Sequence, residues 1–439
     1  MSARQIVLGL ALLLSLPVWA GLKIQHWTTA GGARVYFVEN RDLPILDVSV
    51  TFAAGSARDT RERSGLARMT RQLMSMGAGD WSEQEIAERL ADVGAILSGH
   101  FDQDRAGFGL RTLSGAKERD QALSVLQAVL AAPRFESAVL AREKARAVAG
   151  LKEAATQPQY LGEKAFQAAV FGDHPYALDE SGEIDALERL ERDDLAAFHR
   201  LYYRASNATL AIMGDIGREQ AERLAEALTA GLPPGEAPPP IPPVRASERG
   251  SEQVIPHHAT QSHLFLGLPG MKRGDPDFFA LIVGNYILGG GGFDSRIMAE
   301  VRQKRGLAYS AYSAFLPMQE PGAFVMGLQT RREATGEALR VVRETLEAFL
   351  RDGPTDAELA QAKNYLVGSF PLRLDSNRKI LDHLAVIGFY RLPLDWLDTY
   401  ASRVEAVTRE DILRAFRSRI RPEAMHTVIV GGQIETTDR

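Results

Sequence analysis

The chain has 439 residues, 45% of them hydrophobic, more than one ordinary core accommodates, so two or more domains are expected. Its 51 basic and 56 acidic residues leave a formal net charge of −5 with no basic tract, which makes nucleic acid and anionic membrane surfaces poor partners. Cysteine is absent, which excludes a disulfide framework, a thiol nucleophile and a lipidated cysteine anchor.

In chain order, Arg4 precedes the apolar run Ile6 to Leu16, and Pro17-Val18-Trp19-Ala20 comes next with small residues at 18 and 20. Residues 1–20 therefore read as a signal peptide cleaved after Ala20, and the remainder as a periplasmic protein with no stable membrane anchor. Val35 to Asn40 and Leu43 to Phe52 are rich in β-branched and aromatic residues and are predicted strands. After a turn at Ala54 to Asp59, Leu66, Met69, Leu73 and Met74 recur at helical spacing, so a buried helix is predicted there.

An internal repeat divides the rest of the chain. A shift of 217 positions lays Leu187 on Val404, Arg192 on Arg409, Asp194 on Asp411, Arg204 on Arg421 and Gly214 on Gly431, and the segments after the two arginines, Ala208 to Met213 and Met425 to Val430, are both strand-like. Between the copies the proline-rich stretch from Gly231 to Pro243 cannot form a helix or a central strand. We expect an N-terminal domain over 21–230, a proline-rich linker over 231–246 and a C-terminal domain over 247–439.

In the second half, Gly289 to Gly292 lack the lysine and Ser/Thr of a phosphate-binding loop and come after a helical pattern, so nucleotide binding is discounted in favour of a mobile loop. His257, His258 and His263 do not suggest a metal site, because His258 and His263 are five apart in a strand-like segment and would face opposite sides.

The strand–turn–helix order around Gly65 to Met74, with Phe171-Gly172-Asp173-His174-Pro175-Tyr176 and the long segment Gly289 to Ser310, resembles the pitrilysin/insulinase-type metallopeptidases, the inverzincins. In that family the helix carries His-x-x-Glu-His, two zinc ligands on one face and a general base between them. On that frame the three positions are Arg68, Arg71 and Gln72, and the remaining glutamate ligand, aligned through the Arg-Glu-Lys run at 142–144, falls at Ala149. A guanidinium has no lone pair for a metal and repels one, so no metal site is expected in this chain.

The resemblance implies an α+β fold of two similar domains, each an antiparallel sheet with helices on one face, and a clamshell dimer. It also implies that Arg302 and Tyr309 match the arginine and tyrosine that bind substrate near the scissile carbonyl, with Gly289, Gly290, Gly291 and Gly292 as a further substrate contact. An arginine fork suits a peptide carbonyl, and a phenol can donate to an oxygen gaining charge. Loss of the zinc set beside retention of this pair leads us to expect a noncatalytic subunit. It would act on unfolded peptides in trans with a homologous partner that carries the zinc. The alternative is an inactive peptide-binding or scaffolding protein of the same fold.

Overall fold

Two sheets of the same strand order, one from each half of the chain, organise the computed structural model, which describes residues 22–431. The first half runs β1 (Gln25–Thr28), β2 (Arg34–Glu39), β3 (Ile45–Phe52), α1 (Leu66–Met74), α2 (Glu83–Ala91), β4 (Ile96–Phe101), β5 (Ala106–Leu113), α3 (Ala116–Ala131), α4 (Ser137–Ala154), α5 (Pro158–Phe171), α6 (Ile184–Arg189), α7 (Arg192–Tyr202), β6 (Ala208–Gly214) and α8 (Arg218–Ala230). The second half supplies β7 (Glu252–Ile255), β8 (Gln261–Met271), α9 (Phe278–Asn285), β9 (Ala308–Phe315), β10 (Gly322–Arg331), α10 (Thr335–Asp352), α11 (Asp356–Ser369), α12 (Asn377–Tyr390), α13 (Tyr400–Ala406), α14 (Arg409–Arg419) and β11 (His426–Val430). The export signal expected over 1–20 lies outside the described residues. Among those described, no helix is long and apolar enough to cross a membrane.

The sheets are ordered β1-β2-β6-β3-β5-β4 and β7-β11-β8-β10-β9. Apart from β1 the orders correspond strand for strand, and α7 and α14 are offset by the 217 positions of the sequence repeat. Both sheets are antiparallel except for one pair each, β2 with β6 and β11 with β7. The parallel pair in the first sheet is unavoidable. β6 inserts between β2 and β3, which run in opposite directions, so it must lie parallel to one of them.

Local sequence sets where helices begin. Ser82 with Glu85, Thr355 with Glu358 and Thr408 with Asp411 form capping boxes that satisfy the first N–H groups of α2, α11 and α14. Alternation in β3 puts Leu46, Val48, Val50 and Phe52 into the core of the first half. Asp47, Ser49 and Thr51 are nonetheless buried as well, so the sheet is covered on both faces.

The second cover comes from the other half, which the expectation of helices on one face did not include. α12 crosses β2, β6 and β3, bringing Ile380, Leu381 and Leu384 against Val38, Ala211 and Met213. Reciprocally, α5 crosses β8 and β11, where Phe166 and Val170 meet Phe265, Val428 and Val430. Each such Leu, Ile, Val or Phe contributes about 1.5–3 kcal/mol relative to exposure. Close approach requires Gly388 on α12, since a Cβ there would lie 2.6 Å from the Tyr36 ring and 2.8 Å from Thr209.

A polar junction adds to this exchange. Asp104, buried after β4, accepts hydrogen bonds from the Tyr176 hydroxyl (2.5 Å) of the first half and, from the second, the Tyr390 hydroxyl (2.9 Å) and the Gln319 backbone N–H (2.7 Å). The proline-rich segment between α8 and β7 forms neither helix nor strand and is strapped to the first half. Arg58 donates to the Pro239 carbonyl (2.7 Å), Ser206 donates to that of Gly235 (2.8 Å), and Ile241 is buried.

Candidate functional site

Helix α1 is positioned from its N-terminus by Asp59. One carboxylate oxygen accepts from the Gly65 N–H and the other from the Ala67 N–H, both at 2.8 Å, while Gly65 itself takes φ +94°. Leu66, Met69, Leu73 and Met74 then face the core, which leaves Arg68, Arg71 and Gln72 on the partly accessible side. Burial pushes the Asp59 carboxyl up to about 7 despite its two backbone bonds. The folded state therefore holds this proton more tightly than the unfolded chain does, and the associated stability is present below about pH 4 and lost as pH rises through about 7. We expect unfolding free energy, followed by urea titration, to fall across that window, and Asp59→Asn to flatten the slope. An unchanged slope would show that the Asp59 carboxyl titrates normally.

The side chains that replace the zinc set are each held differently. Arg68 donates from Nε to the Glu180 carbonyl (2.9 Å) and pairs through Nη2 with the Glu180 carboxylate (3.2 Å), its guanidinium 4.7 Å from the centre of the Phe101 ring. Gln72 donates from Nε2 to Glu143 (2.8 Å), which is fully buried and also accepts from Arg142 (2.8 Å) and Arg146 (3.0 Å). Arg71 reaches the edge strand β4 and lies against Gly99, where a Cβ would sit 1.8 Å from its Nη1.

Ala149 does not belong to this constellation. It is exposed, and six residues beyond Glu143 it is turned by about 120° around α4. On the face of Glu143, Arg146 and Ala147 come one turn on and Gly150 two turns on, with open space beside the glycine. The α4 side of the site thus offers no donor side chain at 149 or 150, and its one carboxylate, Glu143, is committed to three partners. Two guanidinium groups and an amide complete the set, so the residues do not fit zinc. Among the described residues no group of three or more His, Cys, Asp or Glu could hold a metal.

In the second half Arg302 and Tyr309 do come together. Arg302 occupies a π-helical turn over Ala299–Gln303 and Tyr309 the start of β9. Arg302 Nη1 donates to the Tyr309 carbonyl (2.8 Å), and its guanidinium lies between two rings, 4.3 Å from Tyr309 and 4.7 Å from Phe293. Tyr309 is 81% exposed and Phe293 60%. Gln303 donates to the Phe293 carbonyl (2.9 Å), and Arg296 forms a two-bond pair with Glu358, each 2.7 Å, which holds that carboxyl down at about 2. The segment bearing Arg302 is therefore anchored on both sides.

The glycine run is not an open loop. Tyr286–Gly290 continues α9 as a second π-helical turn and Gly292–Asp294 forms a 3₁₀ turn. Gly289 is buried with no room beside Ser313 of β9, so it packs structure rather than substrate, whereas Gly290 and Gly292 are exposed and Gly291 is partly so. His258 precedes β8 and only His263 lies within it, so the two do not share a strand; the His257 and His258 rings stack 4.4 Å apart. Sequence reasoning missed Glu143, Glu180 and Phe293. Glu143 belongs to the Arg-Glu-Lys run and Phe293 directly succeeds the glycines, but no spacing marks either as a contact.

Residues 34–180 match the family described as Insulinase (Peptidase family M16), and residues 189–366 match Peptidase M16 inactive domain. A solved peptidase M16 inactive domain from Pseudomonas fluorescens is 36% identical, with 94% of this chain and 98% of that one covered at a TM-score of 0.91. A protease from Helicobacter pylori, 20% identical, shares the fold at a TM-score of 0.85 over 93% of this chain and 99% of that one. Among curated relatives, the Helicobacter pylori non-peptidase homolog YmxG is 27% identical over 384 residues, 86% of this chain and 87% of its own length. The Bacillus subtilis uncharacterized zinc protease YmxG is 24% identical, with 80% of this chain and 85% of its own length covered. The relatives' names point both ways on catalysis, so the residues at the metal face carry the decision.

Proposed function

Since the chain belongs to the insulinase, or M16, peptidase family and lacks that family's zinc-binding residues, we propose that it is the metal-free subunit of a periplasmic heterodimeric zinc peptidase. The partner would be a homologous chain with intact His-x-x-Glu-His, and the substrates unfolded peptides that fit between the two subunits. The observation that carries this reading is the Arg302–Tyr309 pair, with Tyr309 exposed and Arg302 partly so, in a chain whose own metal face is filled by Arg68, Arg71 and Gln72. Stacking between two rings holds the Arg302 fork ready for a peptide carbonyl, and the Tyr309 hydroxyl is left to donate to an oxyanion forming in the partner's site. Neither group cleaves a peptide bond alone, so the isolated chain is inactive.

The test is affinity capture of the chain from its native cells, with identification of what co-purifies and zinc analysis of the complex. A stoichiometric partner bearing His-x-x-Glu-His, with about one zinc per pair, is the expected result. Recovery of a zinc-free homodimer or monomer would remove the peptidase role and leave a peptide-binding or scaffolding protein.

A further inference from the structure

Arg71 is placed where a catalytic group would stand, yet its guanidinium meets only the Phe108 ring, 5.9 Å from its centre, and Gly99. Among the described residues it makes no hydrogen bond and no ion pair, and its Nε is buried without a partner. Its terminal nitrogens are not among the buried unpartnered atoms, so they reach solvent beside the open edge strand β4. A guanidinium presents five donors in a planar fork and loses part of its hydration when partly buried, so leaving Nε unpaired and the terminal donors to water alone is costly.

The neighbours do not meet that need. Glu143 is taken by Gln72, Arg142 and Arg146, and Glu180 by Arg68. His100, on β4, is kept neutral by burial and by the surrounding arginines, and its Nε2 is paired with Thr51 (3.0 Å). The Tyr203 hydroxyl, kept neutral by burial, is itself buried without a partner. The arginines around the same strand are already paired, Arg68 with Glu180, Arg105 with Asp102 and Arg378 with Asp382, so those carboxylates are taken too. The chain has thus preserved room for the guanidinium, with glycine at 99, while supplying it with no anion.

We propose that Arg71 is a carboxylate-binding site on the face of α1 where metal-bearing relatives hold zinc. The ligand is a carboxylate carried on a polypeptide, either its C-terminal group or an Asp or Glu side chain, received by the two terminal nitrogens in a bidentate pair. Replacement of the general-base position by arginine then converts a site for hydrolysis into one for holding an acidic group. This site is independent of any zinc-bearing partner, because it is complete within one chain.

The test uses the purified chain alone and two pairs of fluorescent peptides without other charges. One is an N-acetylated neutral decapeptide as the free acid against its amide. The other is an amidated decapeptide with one internal Glu against the same peptide with Gln. At least one pair is expected to show about 10–100-fold tighter binding of the acid form, and Arg71→Met is expected to abolish that preference. Which pair responds identifies the source of the carboxylate. Arg71→Met should also melt no lower than the parent, because it removes an unpartnered buried donor; a purely structural arginine would lower the melting temperature instead. If Arg71→Met does not fold, Arg71→Lys carries the test, since it keeps the charge but loses the fork and should reduce the preference. No preference in either pair, or an undiminished preference in the folded Arg71 variant, overturns the proposal.

Discussion

Replacing Tyr309 with phenylalanine is expected to lower kcat of the proposed complex about 10²–10³-fold, the usual consequence of removing one oxyanion donor. The substitution is selective. The link to Arg302 runs through the Tyr309 backbone carbonyl, and the guanidinium stacks on the ring, so deleting the hydroxyl leaves both contacts in place. At 81% exposure the side chain contributes little to the core, and the folded stability of this subunit should be unchanged. Steady-state kinetics on the reconstituted pair, with zinc content and subunit stoichiometry measured alongside, separate the outcomes. A complex that keeps full kcat with phenylalanine at 309 would show that the hydroxyl takes no part in the chemistry.

The largest effect on stability is expected at Asp104. Asp104→Ala would strand the Tyr176 and Tyr390 hydroxyls and the Gln319 N–H, and the Tyr176 hydroxyl also accepts from the Glu320 N–H (3.2 Å). Leaving a buried polar group unpaired costs about 1–3 kcal/mol, so the variant should lose at least about 3 kcal/mol. Burial raises the Asp104 carboxyl above the ordinary range, against the pull of these bonds, while desolvation and the carboxyl beside them push both phenols up. Because the donors come from both halves, the loss should fall on the junction between them. Urea unfolding is the readout, and the transition should lose cooperativity as the halves separate. A cost under about 1 kcal/mol would mean that water replaces the carboxylate and the junction is not a tether.

Much of the fold is legible in the residues alone. Capping residues such as Ser82 and Thr408, alternation in residues 45–52 and the repeat at 217 positions all describe local geometry, which neighbouring residues dictate. The parallel pair in each sheet and the exchange of α5 and α12 are not legible there. Periodicity marks that a face is apolar, not which distant face covers it. Strands buried on both sides, such as β6, give a hint, in the apolar run from Leu210 to Met213.

At the candidate site the division is similar. The sequence by itself determined that this chain lacks a zinc-peptidase set, because a guanidinium cannot coordinate a metal in any fold, and residue identity is enough to say so. It also determined which residues stand at those positions and that Arg302 and Tyr309 are present. Only the tertiary structure decided what the replacements touch. The pairing of Gln72 with Glu143 joins residues 71 positions apart, and the Asp104 junction joins residues 286 apart. It moved the α4 side of the site from Ala149 to the face of Glu143 and Gly150, and left Arg71 with donors that no described residue satisfies. Such facts depend on which surfaces meet after folding, and one chain read along its length carries no record of that.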